Sequence, residues 1–468
     1  MDTAAARRLI DPLWMDSIVP SLVEYIRIPN KSPSFDRDWE SHGYMEDAVR
    51  LVEGWCRRHA PRGMSLEVVR LPGRTPLIFM EIPGTIDDTV LLYGHLDKQP
   101  EMVGWEDGLG PWKPVIRGEK LFGRGGADDG YSAFASLAAI LALQEQGLPH
   151  ARCVVIIEAC EESGSYDLPF YIAHLRDRIG TPSLVVCLDS GAANYEQLWL
   201  TVSLRGMVHA RLNAQVLREG VHSGAASGLV PSSFRVLRRL LTRLEDEETG
   251  AMRLPELQAE VPPDRLEEVR KVAAELGDEV WRSYPWAGDT EPMGADNVER
   301  ILGRTWRSTL SVTGAAGLPP LDSAGNVLRP DTTLALSIRL PPTTDAAVAL
   351  AAIERELRRD PPSGARISVE ANAQGGWNAP SIAPWLGEAL EHASQAHYAR
   401  PFMCMGEGGS IPFMGMLGAA YPEAQFMITG VLGPNSNAHG PNEFLHIPFA
   451  RKLTACVAEV LAAHAQRS

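Results

Sequence analysis

Three apolar stretches in the first 190 residues of this chain run directly into histidine or acidic residues. With their polar ends, these stretches span residues 91–97, 153–162 and 184–189. Short apolar runs of this kind are typical of buried strands, and an unpaired charge beside a buried strand is costly. Because open α/β sheets build their sites at the ends of their strands, the pattern predicts a sheet with one edge that gathers these polar side chains.

The order of strand-like and helix-like segments predicts the fold class. The stretch 131–146 has the composition of a buried helix, and its alternation with the apolar stretches predicts a central sheet covered by helices. Further β structure is predicted over residues 198–212, and the chain length favours two domains. We expect an α/β protein with a discontinuous domain, residues 1–204 and 374–468, and an inserted, smaller two-layer α/β domain, residues 205–373.

The composition limits the partners and the compartment that this chain can have. Its 59 acidic and 44 basic residues give a net charge of −15, which repels nucleic acid and anionic membrane surfaces. The six scattered cysteines favour reduced thiols, and the charged first 18 residues lack the apolar core of a signal peptide. No apolar stretch is long and uninterrupted enough to cross a bilayer. We therefore expect a cytoplasmic protein that binds neither nucleic acid nor membrane.

The polar residues at the predicted strand ends and in two turn-rich loops form a ligand set for metal ions. This set consists of one histidine and carboxylate pair in which one can ligate while the other acts behind it, His95 and Asp97, an aspartate of the pair Asp128 and Asp129, the glutamates Glu161 and Glu162, Asp189 and His439. Taken singly, a histidine at a strand end or an aspartate before a helix has a structural explanation, such as a helix cap. Together, these nitrogen and oxygen ligands suit zinc, manganese or cobalt better than calcium. They exceed one tetrahedral site, so we expect two divalent ions, with zinc favoured and manganese or cobalt as alternatives.

Six short motifs in register resemble the signature of the M20 family of metallopeptidases. The motifs span residues 94–97, 123–130, 161–165, 188–191, 220–224 and 438–443. Within that family, the chain is most similar to the carnosinase-like, cytosolic nonspecific dipeptidase branch. The resemblance covers nearly the whole chain in the expected order, which makes it far more specific than any single motif.

The resemblance implies a role for each ligand. Asp128 would bridge two metal ions, His95 and Asp189 would complete one site, and Glu162 and His439 would complete the other.

The resemblance also implies the catalytic residues. Glu161 would be the general base that takes a proton from a metal-bridging water and later delivers it to the leaving amine. Asp97 would orient His95 through the far ring nitrogen. The peptide bond that follows Asp128 is expected to be cis.

The inserted domain resembles the lid and dimerisation domain of the family. The resemblance therefore implies a homodimer in which His222 acts in trans, on the oxyanion that forms in the active site of the partner subunit. Arg339 would bind the terminal carboxylate of the substrate. Glu407, Gly409 and Ser410 resemble a glycine-rich loop that contacts the ends of the substrate.

These observations lead to one functional interpretation with three alternatives. We expect a dinuclear metallohydrolase that cleaves the amide bond of dipeptides or similar small substrates with a free carboxylate. An N-acyl amino acid deacylase or desuccinylase, or a carboxypeptidase, would use the same metal machinery. A metal-binding protein without catalysis is the remaining alternative, and retention of Glu161, Asp97 and His222 argues against it. Serine nucleophile chemistry is disfavoured because the sequence has no G-x-S-x-G motif.

Overall fold

The computed structural model describes residues 1–467, which divide into two compact units. The first unit contains residues 1–202, 379–405 and the chain from Met416 onward, and the second contains residues 203–378 and 406–415. The chain therefore leaves the first unit and returns to it twice.

The strands, in chain order, are β1 (Ser65–Val69), β2 (Leu77–Ile82), β3 (Ile86–His95), β4 (Val115–Arg117), β5 (Lys120–Phe122), β6 (Ala151–Glu158), β7 (Leu184–Cys187), β8 (Trp199–Leu204), β9 (Gly206–Gln215), β10 (Val221–His222), β11 (Thr309–Ala316), β12 (Val327–Leu328), β13 (Asp331–Leu340), β14 (Arg366–Gln374), β15 (Trp377–Asn378), β16 (Met403–Glu407), β17 (Gln425–Ile428) and β18 (Phe444–His446).

The α-helices are α1 (Thr3–Leu13), α2 (Val19–Ile26), α3 (Trp39–His42), α4 (Tyr44–Arg58), α5 (Ser132–Glu145), α6 (Leu168–His174), α7 (Arg176–Ile179), α8 (Ser223–Ala226), α9 (Ser233–Leu244), α10 (Pro263–Leu276), α11 (Glu279–Arg282), α12 (Asn297–Thr305), α13 (Ala346–Arg358), α14 (Pro384–Tyr398), α15 (Pro412–Ala420) and α16 (Ile447–His464).

The first unit is built on a six-stranded sheet in the order β1-β2-β6-β3-β7-β17. The strands β6, β3, β7 and β17 run parallel, so their carboxyl ends lie at one edge of the sheet. The middle strands are almost entirely buried because apolar side chains line both of their faces. Helix α5 is buried on all sides, as expected for a helix inside the core. The predicted α/β fold with a central sheet covered by helices is confirmed.

The second unit contains a four-stranded antiparallel sheet in the order β11-β13-β9-β14. Strands β9 and β13 alternate buried and more exposed residues, which is the pattern of a sheet with one face on a core. The buried face packs against α9 and α13 through Leu237, Leu240 and Ile353. The unit is therefore a two-layer α/β structure.

None of the helices within residues 1–467 is both long and apolar enough to cross a membrane.

Candidate active site

His95, the last residue of β3, is completely buried at the carboxyl edge of the sheet. Its Nδ1 lies 3.1 Å from the carbonyl oxygen of Asp97. A hydrogen bond at Nδ1 directs Nε2 towards Asp128 and Asp189, whose carboxylate oxygens lie 3.4 Å and 3.7 Å away. Nε2 is buried and has no hydrogen-bond partner among residues 1–467. A buried ring nitrogen that faces two carboxylates without a hydrogen bond fits a metal ligand.

Asp97 holds the turn that carries Glu161 and Glu162. The backbone N–H groups of Glu161 and Glu162 donate to the two oxygens of its carboxylate, at 3.1 Å and 3.0 Å. The nearer carboxylate oxygen lies 3.5 Å from Nδ1 of His95, which is farther than the carbonyl oxygen of the same residue. Asp97 thus orients His95 mainly through its backbone and uses its side chain to fix the paired glutamates.

Asp128 stands between the two histidines of the ligand set. One carboxylate oxygen faces His95, and the other lies 3.0 Å from Nε2 of His439. The same nitrogen of His439 is 3.3 Å from Glu162. This is the arrangement needed for a carboxylate that bridges two cations.

The structure brings the predicted ligands into two overlapping groups. In one group, ligand atoms of His95, Glu161 and Asp189 lie within 4.8 Å of one another, and in the other those of His95, Asp128 and Glu162 do. Glu161 is thus as close to His95 and Asp189 as a ligand would be.

The carboxylates of this cluster are electrostatically unfavourable without a cation. Burial raises the pKa of Glu161 well above its usual range, and the charge of Asp189 adds to this. Burial likewise raises the pKa of Glu162, with Asp128 as the next cause. Burial also opposes the charge on Asp128, but the neighbouring imidazoles of His439 and His95 outweigh it and hold the pKa of Asp128 low. A divalent cation would neutralise this group of acids, so the residues present fit a metal site.

A buried ion pair connects the two loops that carry Asp128 and His439. Arg124 and Glu443 are both almost fully buried and form a salt bridge. Arg124 also donates to the carbonyl oxygen of Gly440 at 2.8 Å, and Glu443 accepts the N–H of Gly125 at 2.8 Å. The pair therefore fixes the position of His439 relative to the glycine-rich loop.

Several contacts around the ligands were not predicted from the sequence. Gln99 donates to Glu162 at 2.5 Å, and the Asp129 carboxylate accepts the N–H of His95 at 3.2 Å. The only sequence signal for the Arg124–Glu443 pair was the presence of both residues within the motifs. The peptide bond between Asp128 and Asp129 is cis, as expected from the resemblance.

The remaining predicted residues lie in the second unit. Arg339, on β13, donates to the hydroxyl of Ser410 at 3.2 Å. Ser410 in turn donates to the carbonyl oxygen of Arg205 at 2.5 Å, and the N–H of Arg205 donates to Gly409 at 3.1 Å. Glu407, the last residue of β16, precedes this loop. The structure thus groups Arg339 with the loop 407–410.

His222 lies apart from this group, on the two-residue strand β10. Its side chain is exposed, and it makes no hydrogen bond or ion pair within the described part of the chain. The backbone of His222 pairs with Val327 of β12, whereas its imidazole has no partner among the described residues.

A family model for the peptidase family M20/M25/M40 matches residues 91–463 of this chain. The chain belongs to peptidase family M20. Membership makes it a metallohydrolase of a family that depends on divalent metal ions. The enzyme class expected from the sequence is therefore confirmed.

Several relatives of this M20 peptidase are named as dipeptidases. It is 27% identical over 407 residues to a cysteinylglycine-S-conjugate dipeptidase of Corynebacterium striatum. The alignment covers 83% of this chain and 85% of that protein. It is 29% identical over 307 residues to the human β-Ala-His dipeptidase, and this alignment covers 64% of this chain and 57% of that protein. The predicted carnosinase-like dipeptidase branch is confirmed.

The fold of this M20 peptidase also matches that of a solved dipeptidase. The structure of Dug1p from Saccharomyces cerevisiae superposes with a TM-score of 0.79 at 20% identity, and the match covers 100% of this chain and 99% of that chain.

Proposed function

We propose that this M20 peptidase is a dinuclear metallodipeptidase that hydrolyses the amide bond of small substrates with a free carboxylate. The observation that carries this proposal is the position of Asp128, whose two oxygens face two different histidines, His95 and His439. The names of the relatives, which include Cys-Gly and β-Ala-His dipeptidases, support a dipeptide substrate.

The ligands would hold two divalent ions, most simply zinc. Asp128 would be shared, His95 and Asp189 would serve one ion, and Glu162 and His439 would serve the other. When bound, such ions polarise a scissile carbonyl and make water more acidic. The protein's contribution is to hold these side chains rigidly, since His95 is oriented by the Asp97 carbonyl and Glu162 by the Asp97 carboxylate.

Glu161 would move the proton during hydrolysis. The Asp97 carboxylate fixes its backbone, and its side chain reaches the group formed with His95 and Asp189. From there its carboxylate would accept a proton from the attacking water and return it to the leaving amine. Glu161 would therefore act as general base and then as general acid.

The second unit would bind the carboxylate of the substrate. A guanidinium and a hydroxyl are paired at Arg339 and Ser410, which is a common arrangement for carboxylate recognition. Glu407 and Gly409, in the same loop, would contact the substrate beside them. His222 would stabilise the oxyanion in the active site of the partner subunit of a homodimer.

The experiment that tests this proposal compares peptides and acylated peptides on metal-reconstituted protein. Chelation should abolish hydrolysis of dipeptides, and zinc, manganese or cobalt should restore it. A dipeptidase should cleave a dipeptide much faster than its N-acetylated form, because the free amine is recognised. Faster cleavage of the acylated form would favour the deacylase alternative. Full activity of metal-free protein would contradict the metal mechanism.

A further inference from the structure

Three arginines of the second unit surround the loop of residues 407–410. Arg205 follows β8, and its Nε donates to the carbonyl oxygen of Gly408 at 3.2 Å. Its Nη1 donates to the hydroxyl of Thr309 at 3.3 Å, and Thr309 is the register partner of Arg339 across β11 and β13. The backbone of Arg304, on α12, approaches Gly408 from another side. The guanidinium groups of Arg205 and Arg339 therefore both contact this loop. Arg304 lies beside it through its backbone, and its Nη1 donates to the hydroxyl of Tyr284 at 3.4 Å.

None of these three arginines has an acidic partner. Among residues 1–467, no carboxylate oxygen lies within 4.0 Å of the guanidinium of Arg205, Arg304 or Arg339. Arg205 is buried, with 8% of its surface exposed. Other arginines of the same unit do pair with acids, as Arg355 does with Glu256 at 2.6 Å. Among the arginines buried within residues 1–467, Arg124 and Arg265 each have a carboxylate partner and Arg205 has none.

The positive charges of neighbouring arginines without a carboxylate partner repel one another. Burial, followed by the charges of Arg339 and Arg304, lowers the pKa of Arg205 to about 10. Glu407 is the acid of this loop, but burial raises its pKa even though Arg304 acts in the opposite direction. A buried guanidinium beside like charges and without a counterion is costly, so the cluster around Arg205 is suited to an anionic ligand. One substrate carboxylate at Arg339 would leave two guanidinium groups without an anion.

We propose that Arg205 and Arg304 extend the Arg339–Ser410 pair into a pocket for a second carboxylate, so that the enzyme prefers dipeptides with an acidic C-terminal residue. This inference rests on the proposed function, because it assumes that Arg339 binds the terminal carboxylate. The α-carboxylate and the side-chain carboxylate of a C-terminal Glu or Asp would together meet the three guanidinium groups, which bind carboxylates through paired N–H donors.

A pair of substrates that differ only in one charge tests this inference. The ratio of kcat/KM for Ala-Glu to that for Ala-Gln should be about tenfold or more, as expected when a charged hydrogen bond is lost to a neutral isostere. Arg205→Met and Arg304→Met should each bring this ratio towards one. Arg355→Met is the matched control, since it removes an arginine of the same unit that has an acidic partner, and it should leave the ratio unchanged.

A binding measurement gives a readout that does not depend on turnover. Glutarate should raise the thermal midpoint of the metal-loaded protein in a saturable way, and its monoamide should do so much less. The glutarate effect should be lost in Arg205→Met and in Arg304→Met and kept in Arg355→Met. Metal content measured after each titration shows whether the dicarboxylate has removed ions.

The outcomes separate this inference from the proposed function. Equal kcat/KM for Ala-Glu and Ala-Gln would overturn the acidic preference while leaving the dipeptidase intact. Equal stabilisation by inorganic phosphate and glutarate, combined with no substrate preference, would mean that the arginines hold a free anion and would also overturn it. Failure of the metal-loaded protein to cleave any dipeptide would instead overturn the proposed function.

Discussion

At the scale of single residues, the site depends on polar side-chain atoms that lack a hydrogen-bond partner among the described residues and face other metal-ligand atoms. The clearest is His95, whose Nδ1 is fixed by Asp97 and whose Nε2 has no hydrogen bond among the described residues. Glu161 and Glu162 are neighbours in sequence, held by the same carboxylate, yet they reach different groups of ligands. Their positions are compatible with one proton carrier and one ligand.

The first prediction separates these two roles. Glu161→Gln keeps the shape of the side chain and removes its ability to accept a proton, so turnover should fall by about 100- to 10,000-fold while bound metal stays near normal. Metal content by mass spectrometry and kcat on a dipeptide measure the two effects. Glu162→Gln is the control and should lose metal. If Glu161→Gln loses metal instead, the roles of the two glutamates are exchanged.

The identity of these residues could be predicted from the sequence, but their contacts could not. Residue type and position near strand ends were enough to predict His95, Asp128 and Asp189 as one group of metal ligands. The use of the Asp97 carboxylate to hold the 161–162 turn, rather than the ring of His95, depends on how that turn folds back over the neighbouring strand. No local pattern encodes a hydrogen bond between residues 64 positions apart.

At the scale of elements, the parallel strands bring most of the predicted metal ligands together. β3 and β6 pair so that His95 lies beside Glu158, which places the motifs that follow both strands at one edge. The sequence predicted these strands because they are continuous apolar runs. It predicted β structure over 198–212 but not its interruption at Arg205, where β8 ends and β9 begins. That break places Arg205 beside the 407–410 loop, which is distant in sequence and therefore absent from any local signal.

The second prediction concerns the ion pair between two loops. Arg124→Met leaves the Glu443 carboxylate buried without its cation, and breaking such a pair costs about 3–5 kcal/mol. Because Arg124 also holds the carbonyl oxygen of Gly440, the neighbour of His439, the ion served by His439 should bind about 10- to 100-fold more weakly. Competition with a chelator measures both ions separately.

Arg124→Lys keeps the charge and should recover part of the metal affinity. An equal loss of affinity for both ions would contradict the specific link between this pair and His439. Unchanged affinity for both ions would show that the His439 loop is positioned without the ion pair.

At the scale of the whole molecule, the predicted residues fall into two groups within two units. The metal ligands and Glu161 belong to the first unit, whereas Arg339, Ser410 and His222 belong to the second. The sequence signalled an inserted segment through its change in composition and its own strands and helices. It could not show that residues 406–415 form part of the second unit. Residues 379–405, which belong to the first unit, separate this segment from the rest of the second unit in the sequence.

The last prediction tests whether one active site needs two chains. The side chain of His222 is exposed on β10 and makes no hydrogen bond or ion pair within residues 1–467, as expected of a side chain that acts elsewhere. His222→Ala should lower turnover by roughly 100-fold or more, while metal content and dimer formation are kept.

Mixing His222→Ala chains with Glu161→Gln chains gives the sharper test. In a heterodimer, one active site would combine an intact Glu161 with an intact His222 from the partner subunit, and the other site would carry both substitutions. Activity should therefore reappear from two inactive parents, up to about half of the wild-type rate per heterodimer. Subunit exchange is verified separately by native mass spectrometry of chains with different tags. Verified heterodimers without recovered activity would show that His222 acts within its own chain or has no part in turnover, because the mixture supplies every other group in an intact copy.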